Sequence, residues 1–294
     1  MTLQKYTKRA FAKNPIGAWF GMPMADYAKA RGKNASSLKL LLESPLTYRR
    51  KMDGVLPDRK SKAMETGTVL HAAILEGRLD YHTQPETYGD GKRWNSNANE
   101  CKAWAEAHAD KPILTAAESA FVAESFSYVR QHPIAGRYLV GGKPEVCMFA
   151  EIGGTLFKAR FDYYRHGCIV DLKTTADASA DAFAKQVLQY HWHLQAALYR
   201  EVACALGDIC EFVFIALQKG DLPLVNVLRA GGNTLRLGNE RLQQALDLLE
   251  KCESNNYWPE WADYDGTNEV KELPLPAWAE PEQEITIGGE TVSV

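Results

Sequence analysis

The sequence predicts an α/β (α+β) domain with a central mixed sheet flanked by helices. Helical patterns dominate as far as Gln131, strand-like segments follow from Pro144 to Thr175, and a helix–strand–strand–helix succession then runs to about residue 253. No internal repeat or low-complexity segment interrupts this order, and the 294 residues are read as a single domain.

Each element has a local reason. "NASSLKLLLESPLTYRRKM" reads as two short helices, the first capped by Ser36 or Ser37 and the second opened by Ser44-Pro45 with proline at its first turn. In "METGTVLHAAILEG" the spacing of Val69, Leu70, Ala73 and Ile74 is helical, and Gly77 is the stop. Residues 82–97, rich in Gly, Asn and Pro, read as an exposed loop. Thr115 and Glu118 form a capping box for a helix to about Gln131. "PEVCMFAEI" and "TLFKARFDYY" flank Gly153-Gly154, a hairpin signal, and "CIVDLKT" is a third, more buried strand. Residues 181–206 are helical with a break near the middle. "EFVFIALQ" and "PLVNVLRA" are strands, and residues 233–253 a last helix. Beyond Asn256, four prolines and three tryptophans mark residues 257–294 as an acidic extended tail docked on the body.

Composition narrows the class. No apolar run approaches the ~20 residues needed to span a bilayer, and "MTLQKYTKRAFAKNP" lacks the apolar stretch of a secretory signal, so a cytoplasmic, non-membrane protein is expected. Six cysteines without a CxxC pair argue against a zinc ribbon or an iron–sulfur cluster and favour reduced, mostly buried thiols. The net charge of −3 hides an asymmetry. Residues 1–62, read as a basic helical region, carry 14 Lys/Arg against 4 Asp/Glu, whereas residues 253–294 carry 10 acids and only Lys271. The basic N-terminal region is a candidate phosphate-binding surface, with a solvated helix face as the plainer reading. Its cluster of Lys29, Arg31, Lys33, Lys39, Arg49, Arg50 and Lys51 supplies candidate DNA contacts, foremost Arg49, Arg50 and Lys51.

The chemistry centres on "CIVDLKTTADAS". An apolar strand delivers Asp171 and Lys173, which at i and i+2 share a face and can aim at one phosphate. Antiparallel pairing across "YYRHG" brings Asp162 near Asp171, and two carboxylates that close raise each other's pKa unless a cation lies between them. Phosphodiester hydrolysis needs such a cation and a positioned water, and a lysine supplies the point charge that holds that water. Alone, a DxK on a strand is more often an ion pair at a sheet edge.

"RFD" followed by "IVDLKTT" resembles the core of the PD-(D/E)xK nucleases, with Asp162, Asp171 and Lys173 at the motif positions. "GTVLH", ending at His71, and "HLQAALY", carrying Gln195 and Tyr199, resemble the histidine and glutamine motifs of the RecB-like branch. In order from about residue 35 to residue 279, "ASSLKLLLESPLTY", "ETGTVLHAAILE", "ILTAAE", "ARFDYY", "IVDLKTTAD", "YHWHLQAALY" and "LPLPAWA" resemble the RecE-type exonuclease (exodeoxyribonuclease VIII) domain.

The resemblance implies a PD-(D/E)xK restriction-endonuclease-like core. It implies that His71, Asp162, Asp171 and the backbone carbonyl of Leu172 hold a metal, with Mg²⁺ as the ion and Mn²⁺ as a substitute. Glu145 would hold a second ion or a water on it, Lys173 the attacking water, and Gln195 the scissile region. Tyr199 would support Gln195 or touch DNA. The implied activity is exonucleolytic degradation of linear double-stranded DNA, 5′ to 3′, leaving 3′ single strands for recombination. A homo-oligomeric ring, a single-strand annealing partner of the RecT type and a phage or prophage setting come with it. Two alternatives stay open: another RecB-like endo- or single-strand nuclease, and a non-catalytic DNA-binding or assembly protein on the same fold. His71, among Val69, Leu70 and Ile74, has a rival reading as a core histidine, and Tyr199 as an ordinary core residue. His191 and His193 diverge on a helix and are read as structural or DNA-proximal.

Overall fold

The computed structural model describes residues 1–57, 62–261, 270, 272–273, 284–287 and 290–293. Among them, seven strands form the main sheet, and their order across it follows the chain: β1 (Leu3–Lys5), β2 (Gly17–Phe20), β3 (Lys143–Ile152), β4 (Thr155–Arg165), β5 (Cys168–Thr175), β6 (Glu211–Gln218) and β7 (Leu224–Arg229). β1–β2 and β5–β6 pair in parallel and the other neighbours antiparallel, so the sheet is mixed as expected. The basic N-terminal region is not purely helical: β1 and β2 extend the sheet beyond β3. Strands of three and four residues are too short to show a period of two in the sequence.

The helices that frame the sheet are α1 (Ala35–Glu43), α2 (Pro45–Met52), α3 (Lys62–Glu76), α4 (Ala116–Gln131), α5 (Ala180–Gln189), α6 (Trp192–Ala205) and α7 (Gly232–Asn255). The cap of α1 is Asn34 rather than Ser36 or Ser37: its side chain accepts from the Ser37 amide at 2.8 Å, and the Ser37 hydroxyl accepts from the Asn34 amide in return. Ser44 caps α2 with Pro45 in the first turn, and the Thr115–Glu118 box opens α4, both as read. Gly77, at φ +69°, ends α3 in the left-handed region that glycine tolerates. The break expected between residues 181 and 206 is His191, a non-glycine residue at φ +50° that separates α5 from α6. Residues 82–97 carry short strands at His82–Thr83, Thr87–Tyr88 and Lys92–Arg93 within the expected loop.

Both faces of the sheet are covered. Phe161, Ile169, Phe212 and Phe214 meet Leu38 and Leu41 of α1, Leu194 and Leu198 of α6, and Leu242 of α7. Val170, Leu172, Val213 and Ile215 meet Leu70 and Ile74 of α3 and Val122 and Val129 of α4. β5 therefore alternates its apolar residues between two cores, which explains its near-continuous hydrophobic start. Five cysteines are buried, Cys204 is exposed, and all six are free.

Residues Met1–Ala262 form one compact unit. In it, Trp258 stacks on Tyr48 at 5.8 Å, and the Leu46 amide donates to the Pro259 carbonyl at 2.9 Å, so the segment just after α7 docks on α2. Asp263–Val294 form a second unit, in which Glu284–Ile287 pairs antiparallel with Glu290–Ser293. Most of the expected acidic tail, with residues 274–279 of "LPLPAWA", lies outside the described residues.

Candidate active site

β4 and β5 pair only from Tyr163↔Val170 to Arg165↔Cys168. One step further, the register would set Asp162 opposite Asp171, and there the strands part. β4 continues along β3 while β5 continues along β6. The split frees the Leu172 amide, which donates to Asp162 Oδ2 at 2.8 Å. The two aspartates thus sit at the mouth of a fork in the sheet, as the antiparallel reading of "YYRHG" predicts.

Asp171 is only 1% exposed. Gln195 of α6 donates from Nε2 to its Oδ1 at 2.7 Å, and Lys173 Nζ lies 2.5 Å from its Oδ2. That second contact has the distance of an ion pair without the angles of a hydrogen bond, so Oδ2 is buried with charge compensation but no aligned donor. The Lys173 ammonium also lies 5.3 Å from the centre of the Trp192 ring. Lys39 of α1 donates from Nζ to Gln195 Oε1 at 2.9 Å, joining the same chain of polar groups.

From the opposite face, α3 brings His71 Nδ1 to 3.5 Å from Asp162 Oδ2. Burial lowers the His71 pKa, reinforced by the Lys173 charge, so the imidazole is neutral near pH 7 and has a lone pair to give. Burial pushes the Asp162 carboxyl well above its usual range, and the nearby Asp171 carboxylate pushes further. The contact of His71 with Asp162 is therefore not a charged pair.

This is an arrangement short of positive charge. Among the described residues no three His, Cys, Asp or Glu side chains are gathered closely enough to hold a metal as they stand. The donors nevertheless fit a hard divalent ion: two carboxylates, a neutral imidazole and the Leu172 carbonyl, one carboxylate with an unaligned buried oxygen and the other disfavoured as an anion by burial and by its neighbour.

Residues 34–265 match the family described as a PDDEXK-like domain of unknown function (DUF3799). The chain belongs to this family. No curated protein matches it. Among solved structures it is similar to a crystal structure of a protein from Eubacterium rectale named "Putative exonuclease", at 18% identity and a TM-score of 0.61, over 87% of this chain and 97% of that one. At that identity the likeness shows a shared fold. The PD-(D/E)xK-like core expected from "RFD" and "IVDLKTT" is thus the fold observed.

The remaining candidates of this PDDEXK-like chain fall in different places. Glu145 stands across from Asp162 in the β3–β4 register but leaves the ladder, with φ at +55°. A glutamate held in that region is strained, and its carboxylate is tied to Arg160, which also donates to the Met22 carbonyl at 2.8 Å. Glu145 is near enough to act on both His71 and Asp162 electrostatically. Tyr199 is half-buried: its ring packs against Phe161 at 5.1 Å and Phe212 at 6.3 Å, and burial with nearby Tyr27, Asp171 and Asp162 pushes its hydroxyl pKa upward. Arg49, Arg50 and Lys51 lie exposed on the last turn of α2, where Arg49 pairs with Asp53 at 3.0 Å and lies over Trp258. His193 is buried, its Nδ1 within 3.0 Å of the Val187 carbonyl, which fits a structural role. Lys39, read from charge as a surface cation, belongs instead to the site. Its place beside Leu38 on the apolar face of α1 is the signal that reveals this.

Proposed function

We propose that this chain is a divalent-metal-dependent deoxyribonuclease of the RecE type. The observation that carries the reading is the fork itself: Asp162 and Asp171 face one another where the strands part, with Lys173 on the same strand and Gln195 bracing Asp171.

His71, Asp162, Asp171 and the Leu172 carbonyl would hold the ion, Mg²⁺ by preference with Mn²⁺ as a substitute. When bound, it supplies Lewis-acid polarisation of the phosphate and an acidified water. The chain's own groups do the rest. Gln195 keeps the Asp171 carboxylate from rotating. The Leu172 amide does the same for Asp162. Lys173, anchored by Asp171 and the Trp192 ring, presents an ammonium that orients the attacking water and offsets charge growing on the phosphate. His71 stays unprotonated because it is buried beside Lys173, which keeps its lone pair available at neutral pH.

The finer reading follows the motif order. Linear duplex DNA is degraded from its ends, 5′ to 3′, leaving 3′ single strands for annealing-type recombination. A ring-shaped homo-oligomer encircles the duplex, and a single-strand annealing protein of the RecT type receives the product. Among the described residues no helix is long and apolar enough to cross a membrane.

The test uses duplexes labelled at the 5′ or the 3′ end, beside covalently closed circles, incubated with Mg²⁺ or with chelator. Loss of linear duplex from its ends with circles intact supports the exonuclease. Cutting of circles points to an endonuclease on the same core. No cleavage of any DNA, with duplex still bound, leaves a binding protein.

A further inference from the structure

Helix α1 sets Ala35, Leu38, Lys39 and Leu42 on one face, the i, i+3, i+4, i+7 stripe that enters a core. Ala35, Leu38 and Leu42 are buried there. Lys39 itself is half-buried beside them, and drawing an ammonium even partly out of water is unfavourable without a countercharge. Among the described residues no carboxylate stands within ion-pair distance of Lys39. Its side-chain partner is neutral: Gln195 Oε1, at 2.9 Å. Burial, aided by the Lys173 charge, lowers its pKa to about 7. A structural role would be served better by leucine or methionine at this position.

What the lysine achieves lies one bond further on. A glutamine amide is nearly symmetric in shape but not in chemistry, with an acceptor at one end and donors at the other. With Lys39 Nζ donating to Oε1, the NH₂ end faces Asp171, where it donates to Oδ1 at 2.7 Å. A flipped amide would set NH₂ against the Lys39 Nζ donor and carbonyl oxygen against carboxylate, losing both attractive contacts. Asp171, which only accepts, already calls for the NH₂ end; Lys39 reinforces that orientation and tethers the other end of the amide, so that Gln195 fixes the Asp171 carboxylate and Asp171 anchors Lys173 at 2.5 Å.

We propose that Lys39 is a positioning residue of the active site, acting through Gln195 to hold Asp171 and Lys173 in reactive register. This rests on the nuclease reading of the fork.

The test compares wild type, Lys39→Met, Lys39→Arg, Gln195→Ala and the Lys39→Met/Gln195→Ala double variant in cleavage of linear duplex, together with melting temperature. Loss of positioning should cost Lys39→Met on the order of 10²-fold in kcat. Its melting temperature should stay level or rise, because methionine suits the apolar face. Lys39→Arg should recover most of the rate, and the double variant should be no slower than Gln195→Ala alone. Wild-type rates in Lys39→Met, losses that multiply in the double variant, or parallel falls in rate and melting temperature would overturn the assignment. A readout independent of activity keeps the two readings apart. In nuclear magnetic resonance spectra, the Gln195 side-chain amide protons should be protected in wild type and averaged in Lys39→Met. If wild type cleaves no DNA, the nuclease reading falls, and unaltered Gln195 signals in Lys39→Met would sink the positioning role by itself.

Discussion

Two buried carboxylate clusters flank the short β4–β5 ladder. At its closed end Asp208 is 1% exposed and accepts from the Tyr164 hydroxyl at 2.6 Å, the Gly167 amide at 3.1 Å and the Cys210 thiol at 3.1 Å. Burial alone would raise its pKa, yet those bonds outweigh it and hold the carboxyl below its usual range. At the open end Asp171 is equally buried but has an oxygen with no aligned donor, and Asp162 is driven upward by burial and by its neighbour. Depth does not decide whether a carboxylate is content; the donors do. The closed end is complete and acts as a brace. The open end keeps an unaligned buried oxygen and a disfavoured carboxylate, which in the proposed function an added cation would complete.

The largest effects should separate the two ends by function. Asp171→Ala and Lys173→Ala should each reduce cleavage by about 10³-fold or more while leaving circular dichroism unchanged. Asp208→Ala should do the reverse, keeping the rate per folded molecule but costing about 2–4 kcal/mol in denaturant unfolding, since it strands the Tyr164 and Gly167 donors. Near-normal cleavage by Lys173→Ala would remove the assigned role of that lysine.

The next effect concerns the ion that completes the open end. Mg²⁺ or Mn²⁺ should support cleavage, and Ca²⁺ should occupy the site with little turnover. Full activity after exhaustive chelation would contradict the metal reading.

A smaller effect appears in stability against pH. Lys39 has a folded pKa of about 7, below its ordinary 10.5, so between those values the unfolded chain binds the extra proton. Its contribution therefore makes stability rise with pH across that window, and the burial penalty is full below it. Subtracting the Lys39→Met curve from that of wild type should isolate this slope; a flat difference would mean the ammonium is well solvated.

The smallest effect belongs to the exposed basic turn. Replacing Arg49, Arg50 and Lys51 together should lower the log–log salt slope of duplex binding by about 0.9 for each phosphate that is no longer neutralised. Because Arg49 is already engaged by Asp53 and Trp258, the fall should be less than three fully available cations would give. An unchanged slope would identify this turn as a solvated face.

Much of this was legible in the residues. Period and caps located α2, α3 and α4, and Gly153-Gly154 the β3–β4 hairpin. The two-residue spacing of Asp171 and Lys173, with the short return from Asp162, already implied a shared site. What escaped were features that depend on the third dimension. Charge counting placed Lys39 outside because a lysine is usually solvated; only its stripe with Ala35, Leu38 and Leu42 argued otherwise. Glu145 could be seen as a strand residue but not as a strained one turned to Arg160, since that contact is set by pairing between strands. The packing of Tyr199 on Phe161 and Phe212 could not be read either, because those neighbours are remote in sequence.

The difference between the two carboxylate clusters is tested most directly by melting temperature with and without Mn²⁺, in wild type, Asp162→Asn and Asp208→Asn. Wild type should gain stability with the ion, because binding to the folded state alone raises the midpoint. Asp208→Asn should gain as much from its own lower starting point. Asp162→Asn should melt higher than wild type without the ion, its repulsion with Asp171 removed, and should gain nothing from Mn²⁺. An Mn²⁺ response in Asp162→Asn as large as that of wild type would contradict the account.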